Sequence, residues 1–299
     1  MIKEEQLIEY SKETEFNQEI NEKFEEIRKM LTEYRNSNFE NLKTYLQGSS
    51  KNKTNIKNKS DIDILIRCDR YFESNLNNEA DNKLILKKID FNYSQNEKIN
   101  HLINTKKEYT TFKNSLFKYL KDNKNFKVKV GSKTIKCRIK KANFKFDIVC
   151  AFGYRFYYSK REYIDGNYLQ NKRNKKIISF GKYTYINQEI KNKRTNENYK
   201  KIIRVFKNIS KRHLKKSNRL SSFEIESLLY NVNDEIYLTN NNFKECCIKI
   251  INELKDLLDN SWNNLVEPNE LRAFKDIENI SKKKVKKFIM KIQRKLTIN

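Results

Sequence analysis

From Phe16 to Tyr34 the apolar residues Phe16, Ile20, Phe24, Ile27, Leu31 and Tyr34 recur at steps of three and four. One face of a 3.6-residue helix is then apolar along its whole length, which predicts a single long amphipathic helix leading toward a Gly48-Ser49 turn. Residues 61–67 read as a buried strand and 105–121 as a helix. Residues 126–158 alternate polar and apolar side chains, with a hairpin expected at Gly131-Ser132. This half is α/β. After about residue 190 the period changes to that of helices. Tyr199, Ile202, Ile203, Phe206 and Ile209 form one stripe, and Phe223 to Tyr230 a second segment. Ile250, Ile251, Leu254, Leu257 and Leu258 form a third, and Val285, Phe288, Ile289, Ile292 and Leu296 a last one. These stripes are core faces of a helical domain, with Pro268 punctuating the final two helices. The expected division is therefore 1–190 and 191–299, with residues 70–100 and 160–190 as irregular or inserted segments.

The chain has 299 residues, 37% of them hydrophobic and 12% aromatic, enough for one or two domains. Charges throughout residues 1–15 argue against a secretory signal, and no stretch approaches the roughly 18 apolar residues of a membrane span. A soluble, cytoplasmic protein is expected. The five cysteines, Cys68, Cys137, Cys150, Cys246 and Cys247, lack zinc-finger spacing, and His101 and His213 are the only histidines. A Ser/His/Asp or Cys/His nucleophile system is thereby disfavoured, and catalysis falls to carboxylates and a metal. The net charge of +26 has two readings. Basic clusters at Lys51 to Lys59, Lys172 to Lys176, Lys191 to Arg219 and Lys282 to Lys287 suit a polyanion. A Lys-, Asn- and Ile-rich composition also follows from AT-rich codon usage.

The chemistry is concentrated in Gly48-Ser49, Asp61-Ile62-Asp63 and Asp147. Alternate side chains of a strand share a face, so Asp61 and Asp63 project together while Ile62, Ile64 and Ile66 enter the core. By the same alternation Asp147 lies opposite the Phe144, Phe146 and Ile148 face, on a strand able to run beside the first. Three convergent carboxylates suit two Mg2+ ions, with Mn2+ as a substitute, for in-line displacement at phosphorus. Asp90, in Lys88-Ile89-Asp90-Phe91, is the rival third carboxylate in a less strand-like setting. At Gly48 the absence of a side chain lets backbone approach phosphate, and Ser49 with nearby amides can donate to its oxygens.

Gly48-Ser49, Thr54-Asn55-Ile56 and Ser60-Asp61-Ile62-Asp63 resemble the signature of the DNA polymerase beta-like nucleotidyltransferases. The long gap from Asp63 to Asp147 and the helical half that follows are unlike the minimal transferases of that superfamily. Lys191-Asn192-Lys193-Arg194-Thr195, Tyr199-Lys200 and Arg204-Val205-Phe206-Lys207 are similar to the bacterial cGAS/DncV-like nucleotidyltransferases, or CD-NTases. Ser221-Ser222-Phe223-Glu224-Ile225-Glu226, Trp262, Glu267-Pro268-Asn269-Glu270-Leu271 and Phe274 extend the resemblance over most of residues 40–275, toward the branch described as clade E.

The resemblance implies a polymerase-beta-like core of mixed sheet and helices, a C-terminal helical domain, and a long N-terminal spine helix joining them. It assigns Asp61, Asp63 and Asp147 to the metal and to catalysis, Gly48 and Ser49 to the donor triphosphate, Lys207 and Ser222 to triphosphate contacts, and Phe223 to base stacking. Lys207 also reads as a solvated helix lysine, Phe223 as core and Ser222 as a helix cap. The implied reaction joins NTPs into a cyclic di- or trinucleotide, which activates a downstream effector in CBASS-type antiphage defence. The basic clusters add the expectation of an RNA that binds outside the active site and activates synthesis. A template-independent RNA-tailing polymerase, a toxin-type transferase acting on tRNA or protein, and a nonenzymatic nucleic-acid-binding module are the alternatives.

Overall fold

Ile62, Ile64, Ile66 and Cys68 occupy every second position of one segment, and Phe146, Ile148, Cys150 and Phe152 of another; all are buried. In the computed structural model these segments are neighbouring strands. The structure describes residues 1–13, 16–34, 39, 42–56, 62–75, 105–140, 144–159, 162–238 and 242–297. The chain divides into a sheet unit, Phe16–Lys51 with Asp61–Gly181, and a helical unit, Met1–Glu15 with Asn52–Ser60 and Lys182–Asn299.

The sheet unit contains strands β1 (Leu42–Gln47), β2 (Ile62–Ser74), β3 (Phe126–Val130), β4 (Ile135–Ile139), β5 (Lys145–Tyr157), β6 (Tyr163–Gln170) and β7 (Lys176–Ser179). They form one mixed sheet in the order β1-β2-β5-β4-β3, with β6 added to β5 and β7 to β6. Among the described residues only the β2–β5 pairing is parallel. At 13 residues, β5 is long enough to hold β4 against Lys145–Ile148 and β6 against Phe152–Tyr157.

The helix numbering begins in the helical unit with α1 (Glu4–Ser11); the sheet unit carries α2 (Phe16–Thr32), the single turn α3 (Gly48–Lys51) and α4 (Thr105–Asp122). Tyr109, Phe112, Leu116 and Leu120 line one side of α4 at helical spacing and are buried. The rings of Tyr109 and Phe112 lie 5.6 and 5.8 Å from that of Phe152, and the Tyr109 hydroxyl donates to the Cys150 carbonyl at 2.8 Å. Burying each such side chain contributes about 1.5–3 kcal/mol. Helix α2 sets Ile20, Ile27 and Leu31 inside, as the sequence pattern requires. The Tyr34 hydroxyl just beyond it donates to Ser115 at 2.8 Å.

The helical unit continues with α5 (Gly181–Arg194), α6 (Asn198–His213), α7 (Ser222–Tyr230), α8 (Asp234–Leu238), α9 (Phe243–Asn260) and α10 (Lys282–Thr297). Of the residues in the four predicted stripes that fall on α6, α9 and α10, all but Leu257 are fully buried. They form one hydrophobic cluster together with Leu7 and Tyr10 of α1. The Glu4 carboxylate accepts from the amides of Phe243 (2.7 Å) and Lys244 (2.9 Å), placing a negative charge at the N-terminus of α9.

Two sequence expectations change. The units meet in sequence at Gly181 and Lys182 rather than at 190, and residues 1–15 and 52–60 go with the helices. The cause is local: Leu7 and Tyr10 have their apolar neighbours there, and Asn52 and Thr54 have their polar partners there. Within the expected irregular segment 160–190, residues 162–190 are largely regular, forming β6, β7 and most of α5, because Ile164 and Tyr168 are buried on β6 while the basic Lys172 to Lys176 turn masks the hairpin. Residues 76–104, which include Asp90, lie outside the described residues. Among the described residues no helix is long and apolar enough to cross a membrane.

Candidate active site

In the parallel register of β2 and β5, Asp63 is paired with Asp147, with Ile62 opposite Phe146 and Ile64 opposite Ile148. Paired residues share a face and successive ones alternate, so burying the isoleucines and Phe146 against α4 drives both carboxylates to the other face. Neighbouring strands lie about 4.8 Å apart, close enough for two carboxylates to share ligands. Gln47 of β1 pairs with Asp63, and Lys136 of β4 pairs with Asp147. A row of Gln47, Asp63, Asp147 and Lys136 therefore crosses four strands. Asp147 Oδ2 accepts from Thr134 Oγ1 at 3.2 Å and lies 3.6 Å from Lys136 Nζ. Asp61 lies outside the described residues, so the pair Asp63 and Asp147 is the described part of the expected triad. Among the described residues there is no cluster of three metal-ligating side chains.

Gly48 follows Gln47 directly, in the left-handed region at φ 61°. A Cβ there would run into Asp63 Oδ2 and stand 3.3 Å from its Cγ. Glycine is required twice over, for its backbone angle and for the space that the Asp63 carboxylate fills. Ser49 follows it, half-buried, in the turn α3, and Ser50 is buried. Gly48→Ala is expected to destabilise the sheet unit by about 1–2 kcal/mol through the left-handed penalty alone and to lower turnover further by displacing Asp63. Thermal unfolding and pyrophosphate release on the same preparation check this, and an alanine variant with wild-type turnover would contradict it.

Lys207, Ser222 and Phe223 belong to the helical unit. Of the two sequence readings of Lys207, the solvated helix lysine is not met. It is buried, its ammonium pairs with Glu226, and it donates to Thr54 Oγ1 at 3.0 Å and the Thr54 carbonyl at 3.3 Å. Three acceptors account for its three protons. Its neighbour Arg204, also buried, donates to the carbonyls of Ser11 and Lys53 at 2.7 Å each. The cap of α7 is Ser221, not Ser222: its hydroxyl accepts from the Glu224 amide at 3.2 Å while Glu224 accepts from the Ser221 amide at 2.6 Å. That leaves the Ser222 hydroxyl exposed at the first position of the helix. Phe223 is 38% exposed and so not a core residue.

Sequence reasoning assigned no role to Thr134 or Lys136, and it placed Thr54 and Glu226 within motifs without seeing that they hold Lys207. Glu226 also left a signal as a charge within the apolar run Ile225 to Leu229. The cysteines offer no competing chemistry. All five are buried, and burial pushes the Cys137 and Cys150 thiols up to about 12 and that of Cys246 up to about 11.

Comparison with known proteins accounts for both units. Residues 186–297 match the cGAS/DncV-like nucleotidyltransferase C-terminal helical domain, and residues 25–123 match a nucleotidyltransferase domain. The cyclic nucleotide synthase CdnE01 of Staphylococcus haemolyticus is 34% identical over 235 residues, covering 73% of each chain. The cyclic UMP-AMP synthase of Rhodothermus marinus is 30% identical over 219 residues, covering 71% of this chain and 69% of that protein. A solved structure of Rhodothermus marinus CdnE c-UMP-AMP synthase with Apcpp and Upnpp superposes with a TM-score of 0.77 at 26% identity, covering 99% of this chain and 97% of that one. The chain belongs to the cGAS/DncV-like nucleotidyltransferases, and it is a nucleotidyltransferase enzyme of the cyclic oligonucleotide synthase type.

Proposed function

We propose that this protein condenses nucleoside triphosphates into a cyclic di- or trinucleotide that acts, in the cytoplasm, on a downstream effector in CBASS-type antiphage defence. The observation that carries the reading is the pairing of Asp63 with Asp147 on one face of the sheet beside the side-chain-free Gly48. Oxygen donors of this kind suit Mg2+, or Mn2+ in its place, and Asp61, Asp63 and Asp147 are the residues to hold two such ions. When bound, the ions supply Lewis acidity at phosphorus and lower the pKa of the attacking ribose hydroxyl.

The protein's own groups do the rest. Gly48 and Ser49 bring backbone and hydroxyl donors to the donor triphosphate; in the helical unit, the exposed Ser222 hydroxyl at the start of α7 suits a triphosphate contact, at a helix terminus that favours anions. The exposed ring of Phe223 stacks on a base. Asp147, on the acceptor side, takes the proton that the ribose hydroxyl loses. Lys207 contributes by holding Thr54 rather than by offering a free N–H to phosphate.

Activation by RNA is supported by α10. Lys283, Lys287, Lys291 and Arg294 recur at steps of four, four and three, and none of them forms an ion pair among the described residues. Lys282, Lys284 and Lys286 on the flanking faces pair instead with Asp259 and Glu224. An unneutralised stripe of this kind suits a phosphate backbone.

Incubation with all four NTPs and Mg2+ or Mn2+ is expected to give a phosphatase-resistant product with the mass of a cyclic di- or trinucleotide, in greater yield when structured RNA is added at low salt. An RNA primer extended at its 3′ end would point to a tailing polymerase instead, and label fixed on tRNA or protein to a toxin-type transferase. Yield indifferent to RNA, with no salt-dependent binding, would remove the activator.

A further inference from the structure

The turn between β3 and β4 is built to reach Asp147. The Gly131 amide donates to the Thr134 carbonyl at 2.7 Å and closes the hairpin. A Cβ on Gly131 would stand 2.8 Å from Thr134 Oγ1, 3.0 Å from the Thr134 carbonyl and 3.3 Å from Lys136 Cε. The space a side chain would take is thus filled by the two residues that approach the carboxylate. Thr134 Oγ1 donates to Asp147 Oδ2 at 3.2 Å, and Lys136 Nζ lies 3.6 Å from the same oxygen. The Lys136 side chain keeps 58% of its surface in solvent, so its ammonium can leave without exposing a buried charge.

Asp147 also faces Asp63 directly across the parallel register. Like charges placed directly opposite repel, and a neighbouring cation offsets that repulsion until a divalent cation replaces it. The two approaching groups then have opposite effects on such a cation. A hydroxyl that fixes the rotamer of a ligating carboxylate favours binding, as supporting hydrogen bonds around metal ligands do. An ammonium at 3.6 Å competes for the same oxygen.

We propose that the β3–β4 hairpin sets the divalent-cation affinity of the acceptor-side carboxylate: Thr134 is a positioning residue for Asp147, and Lys136 is an exchangeable counter-ion that the cation must displace. This rests on the reading of Asp147 as a metal ligand. Displacement leaves a mobile ammonium beside the acceptor position, where the nucleotide's phosphates are its natural partner.

The test is Mn2+ binding to the full-length protein, followed by electron paramagnetic resonance of the free ion without nucleotide. Lys136→Met is expected to tighten binding about 3–10-fold, the loss of one screened like charge, and Lys136→Arg to restore the wild-type value. Thr134→Val is expected to weaken it about tenfold, while Thr134→Ser, which keeps the hydroxyl, is not. Opposite signs for the two variants are the signature, since a hairpin that merely holds the fold together moves both in the same direction. Equal affinities for wild type, Lys136→Met and Thr134→Val, or weakening by both, overturn the proposal. Asp147→Asn separates it from the reading beneath it. If that variant binds Mn2+ like wild type, Asp147 is not a ligand; if it loses binding while the hairpin variants change nothing, only the role of the hairpin fails.

Discussion

Replacing Asp63 with asparagine is expected to lower pyrophosphate release about 10³-fold or more while leaving the protein folded and as stable as wild type, or more so. The two halves of that expectation come from the same contact. Asp63 and Asp147 are paired across β2 and β5, and both are kept out of the core by the burial of Ile62, Ile64, Phe146 and Ile148. Two carboxylates held opposite one another cost stability, and nothing in the packing of α4 on the sheet calls for them. Asparagine has the same shape, still fits beside Gly48, and removes the repulsion together with the ligand charge. Asp147→Asn should behave alike. Pyrophosphate release and thermal unfolding on the same purified sample decide it: turnover within tenfold of wild type would remove Asp63 from the chemistry, whereas lost turnover accompanied by unfolding would mean that the residue serves the fold. A gain in stability on losing activity marks a residue kept for function.

These carboxylates were legible because a strand has a period of two. Once Ile62 and Ile64 are inside, Asp63 has one place to go, and the same holds for Asp147 between Phe146 and Ile148. Gly48 was legible as a turn, but the stronger reason for it is tertiary, since the carboxylate filling its side-chain space comes from another strand. Lys207 shows the limit. Helical spacing places it on α6 but cannot report that its ammonium meets Glu226 of α7 and Thr54 of a segment that returns to the helices from the end of the turn carrying Gly48 and Ser49. The Thr134 and Lys136 contacts were hidden for the same reason, being products of register between β4 and β5 rather than of any local pattern. At α7 the capping box Ser221-x-x-Glu224 was present in the sequence and decides between two adjacent serines. It assigns Ser221 to the helix and leaves Ser222 exposed.

The largest effect on stability is expected at Glu226. Glu226 and Lys207 are each 4% exposed as residues, and the pair is the centre of a buried network. Thr54 Oγ1 donates to Glu226 Oε1 at 2.9 Å, Gln188 Nε2 to Oε2 at 3.2 Å, and Asn52 Nδ2 to Gln188 Oε1 at 2.7 Å. Glu226→Ala strands the lysine and should cost about 3–5 kcal/mol, the usual price of one uncompensated buried charge. The double variant Lys207→Met with Glu226→Leu should recover most of it, because a well-packed apolar pair replaces a buried ion pair at little cost. Burial by itself pushes the Glu226 carboxyl up, but the Lys207 charge and the bonds from Lys207, Thr54 and Gln188 outweigh it and hold it below the ordinary glutamate value. A carboxyl depressed in the folded state contributes stability that is complete above its unfolded pKa of about 4.3 and is lost as the pH falls through the lower folded value. The stability gap between wild type and Glu226→Gln, measured by urea unfolding, should therefore be full near neutral pH and shrink as the pH drops below about 4. A gap that stays constant over that range would show that the pair is not ionised as drawn. Because Asn52 and Thr54 follow directly on the Gly48–Lys51 turn, the same variants should also raise KM for NTP more than they lower kcat, the pattern of a loosened binding element rather than of a lost reacting group.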